Sequence, residues 1–385
     1  MSGRGAAPPQ PAVDERGPLK VLMLIDHLRD TGGAERVLTG LATHMSPDRC
    51  QVVVCTKRSA SGRLTRTLDA AGVRHFSLRR ESRPDVLAFR QLVSFLRAER
   101  IDVLHAHKQG SNAWGAVAGL LGRTPVVVAH EHGSQERGVG HRLYRRLVGG
   151  LVTAVVTGST TDRDRLIHLE HIPAEKVVLI PGAYIPRPGS DDGDFRADLG
   201  IAPQAPLIGT IAVLRPEKAL TVLIDAFARL MRSFPEARLV ICGRGPCRSA
   251  LSRHAEEVGV SDRVLLPGYR DDVGNVLDAI DVAAISSDRE GTSLFALECM
   301  AHGTPLVATD VGGPHDILED GVSGRLVAPR DPGALADAIA SVLHDRDRGS
   351  ALAAAARERL QGLTIDHVAG CFADLYERLM AKAVA

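Results

Sequence analysis

Two acids eight residues apart, Glu290 and Glu298, lie within Asp288–Gly313, a stretch whose residue types suit phosphate and sugar chemistry. Thr292 or Ser293 is fit to cap a helix, and Gly303-Thr304-Pro305 to end it ahead of the apolar run Leu306–Ala308. Glu290 then stands on the loop at the helix mouth, and Glu298 further along the same helix. The N–H groups of residues 292–294 have no intrahelical partners there, and such a terminus attracts phosphate. Donor amides between two acceptors suit a diphosphate flanked by hydroxyl-rich groups, as in a nucleotide sugar. The alternative is a capped surface helix with two solvated acids.

Arg215 and Lys218 follow directly on the apolar run Leu207–Leu214, where two cations can meet a diphosphate; singly they are ordinary surface cations. Near the amino terminus, Asp26-His27-Leu28 ends a strand pattern and the loop Thr31–Arg36 carries Gly32-Gly33. Glycines there let the backbone approach a ligand beside a helix N-terminus, although the pair alone is equally a simple turn. Gly243-Arg244-Gly245-Pro246 is a strand-to-loop turn, and Arg263–Tyr269 a strand followed by a turn. A rival constellation is His105-Ala106-His107 with His130-Glu131-His132, which could hold zinc and make a metal-dependent hydrolase. Such a site needs a further carboxylate and a position open to water, and no Asp is evident for it. Asp162-Arg163-Asp164 and Asp345-Arg346-Asp347 imitate a metal-binding Asp-x-Asp but fall in helical polar stretches. They read as solvated faces, and no essential divalent ion is expected.

The elements that must position these groups alternate along the chain. Strand patterns at Leu19–Ile25, Val52–Thr56, Ile101–Leu104, Val126–Val128 and Leu151–Thr157 are interleaved with helical patterns such as Ala34–His44 and Val86–Glu99. A Gly/Asp-rich stretch to Asp194 breaks the series. It restarts with Leu207–Leu214, Leu220–Phe234, Arg238–Cys242, Ala250–Gly259, Val264–Leu266, Val282–Ser286 and Leu306–Thr309. Wholly apolar strands separated by helices imply parallel sheets covered on both faces. Two such units predict an α/β chain of two Rossmann-like domains facing a cleft. The expected divisions are a disordered tail at 1–17, a first domain at 18–185 and a second at 186–364.

The 385 residues, 44% hydrophobic and 24% charged, suit a soluble two-domain protein, and 3% aromatic content leaves little for base-stacking platforms. No apolar run reaches the roughly 18 residues of a membrane helix, and the first residues lack the apolar segment of a secretory signal. Six cysteines without metal-ligand spacing fit a reduced cytosol. The net charge of +1 conceals +9 over residues 18–185 and −8 over 186–385. Different partners for the two halves, or neutralisation across their own interface, both account for that asymmetry. The basic, partly apolar segment Arg137–Val148 can lie on an anionic membrane or serve as a basic surface helix.

Glu290-Gly291 with Glu298, Gly312-Gly313-Pro314, Leu214–Lys218, Gly32–Arg36 and Gly243-x-Gly245-Pro246 together resemble the retaining glycosyltransferases of family 4 over residues 20–375. The resemblance implies the GT-B fold, with the last helix, 365–385, crossing back to the first domain. It implies a donor site of Gly32, Gly33, Arg215, Lys218, Gly243, Gly245, Glu290, Gly291, Thr292, Ser293, Leu294 and Glu298. Glu290 would face the sugar, Glu298 the ribose, and Arg215 and Lys218 the leaving β-phosphate. His132 would face donor sugar and acceptor, giving a catalytic set of His132, Arg215, Lys218 and Glu290 without metal. The implied reaction moves a hexosyl or N-acetylhexosaminyl group from a UDP- or GDP-sugar to a lipid-linked or small-molecule hydroxyl acceptor, in polysaccharide, glycolipid or glycoconjugate synthesis. A cytoplasmic enzyme, peripheral on the inner membrane face and without nucleic acid, is expected. A sugar-nucleotide epimerase or a non-catalytic binding protein would share the fold. Two departures stand out: Ala219 replaces the family's glycine after Lys218, and Pro181-Gly182-Ala183-Tyr184 replaces the usual Pro-Asn-Gly hinge.

Overall fold

The computed structural model of the protein describes residues 17–30, 32–81, 85–133, 139–187 and 193–385, with backbone alone at Val139 and His141. Most of the expected tail, Thr31, part of the expected linker and Arg137-Gly138 of the basic segment lie outside the described residues.

Strands β1 (Leu19–Leu28), β2 (Cys50–Ala60), β3 (Arg74–Ser77), β4 (Val103–His107), β5 (Val126–Glu131), β6 (Ala154–Thr157) and β7 (Val177–Leu179) form one parallel sheet, ordered β3-β2-β1-β4-β5-β6-β7. Strands β8 (Leu207–Ile211), β9 (Arg238–Cys242), β10 (Val264–Gly268), β11 (Val282–Ile285), β12 (Leu306–Thr309) and β13 (Arg325–Val327) form a second, ordered β10-β9-β8-β11-β12-β13. Helices α1 (Gly33–His44), α2 (Arg63–Ala70), α3 (Val86–Ala98), α4 (Gln109–Gly122), α5 (Val139–Leu151) and α6 (Thr160–His168) connect the first sheet. The second is connected by α7 (Phe195–Asp198), α8 (Leu220–Leu230), α9 (Arg248–Glu257), α10 (Val273–Ala279), α11 (Leu294–His302) and α12 (Gly312–Ile317). The chain ends in α13 (Pro332–His344), α14 (Arg346–Arg359) and α15 (Ile365–Val384).

The continuous apolar strands are explained by cover on both faces. In β1, Val21, Met23 and Ile25 join a core with α1 and α15, while Leu22 and Leu24 join another with α3 and α4; all five are fully buried. Val368, Phe372 and Tyr376 of α15 sit in that first core, so the chain's last helix is part of the first sheet's packing. Apolar runs blur some element ends. Leu151 belongs to α5 rather than to β6, and α8 stops at Leu230 because the backbone turns over Met231–Phe234 ahead of Pro235.

Each strand order reverses at one point, between β1 and β4 and between β8 and β11. Parallel sheets bind ligands in the crevice outside the carboxyl ends of strands at such a reversal. The carboxyl ends of these four strands and the segments that follow them carry Gly32-Gly33, His107-Lys108, Arg215–Lys218 and Ser286–Ser293.

Candidate active site

In the second domain, the Lys218 ammonium reaches across from the loop after β8 to the loop after β11. Its Nζ lies 2.7 Å from Glu290 Oε1 and 2.5 Å from Oε2, and the Ser287 hydroxyl donates to Oε2 at 2.8 Å. Glu290 keeps only 8% of its side chain exposed, so the pair is largely withdrawn from water. The two loops are tied further by Ser286 Oγ donating to the Lys218 carbonyl at 3.0 Å. Ala219, where the family has glycine, takes the left-handed conformation with φ 45° and ψ 40°. The loop therefore keeps a glycine-type bend at the expense of Cβ strain.

Ser293 caps α11, its Oγ accepting from the Ala296 N–H at 3.3 Å, and Gly303 closes the helix at φ 75°. Glu298 lies on this helix with its side chain 6% exposed. Its Oε1 accepts from Arg36 Nη1 and from Arg187 Nε, each at 2.9 Å. Arg36 comes from α1 of the first domain, so this carboxylate spans the cleft.

The neighbouring residues of the α11 loop also meet the first domain. A methyl group at Gly182 or Gly158 would overlap the Thr292 side chain, and one at Gly291 would lie 3.1 Å from Gly133 Cα. A methyl group at Gly33 would meet Leu294 Cδ1 at 3.5 Å. Thr160 donates its N–H to Asp316 Oδ2 at 2.7 Å, and Arg63 pairs with Asp271 at 3.0 Å across the same cleft. The domains are thus closed on one another, and open depressions of about 360 Å³ beside α8 and 560 Å³ beside α3 and α4 lie away from this contact.

Not all of the sequence-nominated residues converge. Arg215 is 54% exposed and its nearest acid is Glu217 at 3.8 Å; it has no contact with Glu290. Gly243 and Gly245 stand at the turn after β9, where side chains would overlap the Ala212 and Leu214 carbonyls; they let that turn lie against the loop carrying Lys218. Gly32 is the α1 N-cap without a side-chain capping bond.

His132 Nε2 lies 2.9 Å from His107 Nδ1, in a stack of four imidazoles with His105 and His130. Tyr376 from α15 closes this row with a 2.6 Å hydrogen bond to His105 Nδ1. Burial, reinforced by the neighbouring imidazoles, holds His105, His107 and His132 well below the ordinary histidine range, and burial lowers His130 to about 3. All four are neutral at pH 7. Donor atoms of His105, His107 and His130 lie within 4.8 Å of one another, the group among the described residues with metal-ligand character. Glu131 is engaged elsewhere, with Arg145 at 3.0 Å and Asn112 at 2.9 Å. Arg145 is turned inward, so of the cations expected on the basic segment it is one that cannot face a membrane; Leu143, Leu147 and Leu151 of α5 are exposed.

Sequence reasoning did not find Arg36 and Arg187 as partners of Glu298, nor Thr292 as the residue that seats in the first domain. Arg36 lay within a nominated loop; Arg187 stood just ahead of the expected linker.

Comparison with known proteins shows the family and the fold. Residues 191–359 match the family model for glycosyl transferases group 1, and residues 31–184 match that for glycosyltransferase family 4. D-inositol 3-phosphate glycosyltransferase of Frankia alni is 31% identical over 385 aligned positions, covering 86% of this chain and 91% of that one. The enzyme of the same name from Corynebacterium glutamicum is 30% identical, covering 82% and 84%. Among solved structures, Anabaena HepE in complex with UDP and glucose superposes with a TM-score of 0.80 at 22% identity, covering 93% of this chain and 99% of that one. The chain belongs to glycosyltransferase family 4 and has the GT-B fold.

Proposed function

We propose that the protein transfers a hexosyl or N-acetylhexosaminyl group from a UDP- or GDP-sugar to an acceptor hydroxyl with retention of configuration and without an essential metal. The observation that carries this reading is the Lys218–Glu290 pair at the mouth of α11, with Glu298 along the same helix. In it, the second domain binds the donor and the first the acceptor. Lys218 and the amides of residues 292–294 hold the diphosphate, Glu290 accepts from sugar hydroxyls, and Glu298 accepts from the ribose. Arg215 swings in from its exposed position to the β-phosphate.

As the anomeric C–O bond breaks, negative charge grows on the β-phosphate, where Lys218 and the helix amides stabilise it. Fixed cations and dipoles at such a point supply on the order of 3–4 kcal/mol each. The acceptor oxygen forms its bond to the anomeric carbon from the face the phosphate leaves, and its proton passes to the departing phosphate oxygen. His132, neutral and beside Gly133 at the domain contact, orients the sugar and acceptor hydroxyls. The closed domains exclude water and suppress hydrolysis.

The acceptor is lipid-linked or a small molecule. The exposed stripe Leu143, Leu147, Leu151, with Arg142 and Arg146 beside it, makes a peripheral contact on the inner face of the cell membrane. The test is transfer from UDP- and GDP-sugars to polyol acceptors, with the product anomer read by NMR. Acceptor-dependent product of the donor's own anomeric configuration supports the proposal; an inverted product, or epimerised donor without acceptor, rejects it.

A further inference from the structure

The amino end of the first sheet, opposite the crevice, carries charge of its own. Ile101 and Asp102 lead into β4 and Pro125 into β5, and all three border the open depression of about 560 Å³. Arg97, Arg100 and Arg123 line it as well. The five residues of β4 set it roughly 16 Å from the carboxyl ends of the strands.

Two of these arginines occupy positions that suit glycine. After α3, the Arg100 N–H donates to the Arg97 carbonyl at 3.2 Å and the Ile101 N–H to the Leu96 carbonyl at 3.0 Å. After α4, the Arg123 N–H donates to the Leu120 carbonyl at 3.3 Å and the Thr124 N–H to the Gly119 carbonyl at 2.9 Å. Such a pair of hydrogen bonds closes a helix through one left-handed residue, a conformation that glycine adopts freely. Helices α2, α7 and α9 close in the same way on Gly72, Gly200 and Gly259. Arg100 and Arg123 are held there at φ 53° and 59°, against the preference of a residue with a Cβ. Strained non-glycine residues of this kind gather at ligand clamps.

The third arginine is fixed by the neighbouring helix. Arg97 Nε and Nη2 donate to the Leu121 carbonyl at 3.1 and 2.6 Å, which ties the last turns of α3 and α4 together. Among the described residues, no carboxylate lies within ion-pair distance of Arg97, Arg100 or Arg123. Asp102 Oδ2 accepts from the Lys20 N–H at 2.8 Å, and Glu99 pairs with Arg74 at 2.9 Å. Three guanidinium groups thus share the depression with one carboxylate. The carbonyl ends of α3 and α4 offset about one further charge, and the depression stays positive.

We propose that Arg97, Arg100 and Arg123 bind a phosphate group at the amino end of the first sheet, away from the cleft between the domains. Several guanidinium groups around one depression suit a tetrahedral oxyanion, whereas a planar carboxylate is satisfied by a single fork. The depression has room for the molecule that carries the phosphate. Leu120 and Leu121 are exposed in the last turn of α4, so a lipid headgroup and a free phosphorylated molecule both fit. The site does not depend on the transferase reading.

Arg100→Gly and Arg123→Gly each remove a cation and relieve a left-handed turn, so both variants should fold with a melting point no lower than the parent's. Arg66→Ala, at an exposed position on α2, controls for loss of charge alone. The probes are inorganic pyrophosphate, followed by calorimetry, and phosphatidylglycerol–phosphatidylcholine vesicles, followed by flotation. Saturable pyrophosphate binding is expected, weakened roughly tenfold or more in both glycine variants and retained in Arg66→Ala and Lys218→Ala. Vesicle binding weakened in the glycine variants alone, without pyrophosphate binding, would also uphold the site and place the phosphate on a lipid. No binding of either probe, or binding that the glycine variants lose no more than Arg66→Ala does, overturns the proposal. Pyrophosphate binding lost in Lys218→Ala and kept in the glycine variants overturns it too, and assigns that anion to the donor site.

Discussion

Arg36 of the first domain and Glu298 of the second meet at 2.9 Å, and Arg187 takes the same carboxylate oxygen at 2.9 Å. A single carboxylate on α11 thereby links both domains and the segment between them, at the site where the ribose is proposed to bind.

Arg36→Met removes the cross-cleft arm and leaves Glu298 paired with Arg187. The expected loss is about 1–2 kcal/mol of closure, below the 3–5 kcal/mol of a fully broken buried pair. Transfer should fall about tenfold, with a larger radius of gyration in solution scattering and a melting point little changed. An unchanged radius and rate would show that the pair does not govern closure.

Thr292 seats against Gly158 and Gly182. Gly182→Ala puts a methyl group into Thr292 and should push the donor loop away from the first domain, lowering kcat about tenfold or more. Thr292→Gly, which empties the seat, should restore part of that loss in the double variant. Strictly additive effects would contradict the contact.

Ala219 holds a left-handed conformation at φ 45°. Ala219→Gly relieves the Cβ clash, worth about 1–2 kcal/mol, and gives back about 0.5–1 kcal/mol through the freer unfolded chain. Chemical denaturation should find the variant equal to the parent or up to about 1.5 kcal/mol more stable. A clear destabilisation would mean that the loop is not strained.

The four stacked histidines make stability depend on pH. Unfolded histidine takes up its proton near pH 6.5, whereas His130 does so near 3 in the fold and the other three well below their usual range, chiefly through burial. Below pH 6.5 the unfolded chain thus binds more protons. Stability is full above that pH and is lost as pH falls, by about 1.4 kcal/mol per pH unit for each histidine. The melting point should drop steadily from pH 7 to 5, and His130→Phe should flatten the slope. A slope identical to the parent's would contradict the neutral stack.

Much of this architecture could be read from the chain, for local reasons. Apolar strands such as Val21–Ile25 and the Ser293 and Gly303 helix signals are set by neighbours in sequence, so their pattern survives without coordinates. Helix α4 was not legible, because its glycines argue against a helix. In the fold Gly115 and Gly119 bring α4 so close to β4 and β5 that a methyl group would meet Ala106 or Val127. The partners of Glu298 were hidden for another reason. Arg187 lies 111 residues away and Arg36 is on another domain, and no periodicity encodes such pairings.

The most direct test of the donor site is thermal stabilisation by UDP, GDP, ADP and dTDP, with and without EDTA, on the native chain and Lys218→Ala. One nucleotide should stabilise the native protein by about 2.7 kcal/mol at a hundredfold excess over its Kd, indifferent to EDTA, with the shift largely lost in Lys218→Ala. No nucleotide shift, or one undiminished by the substitution, would contradict the donor site built on Lys218 and Glu290. An EDTA-sensitive melting point in its place would bring the histidine cluster forward as a metal site.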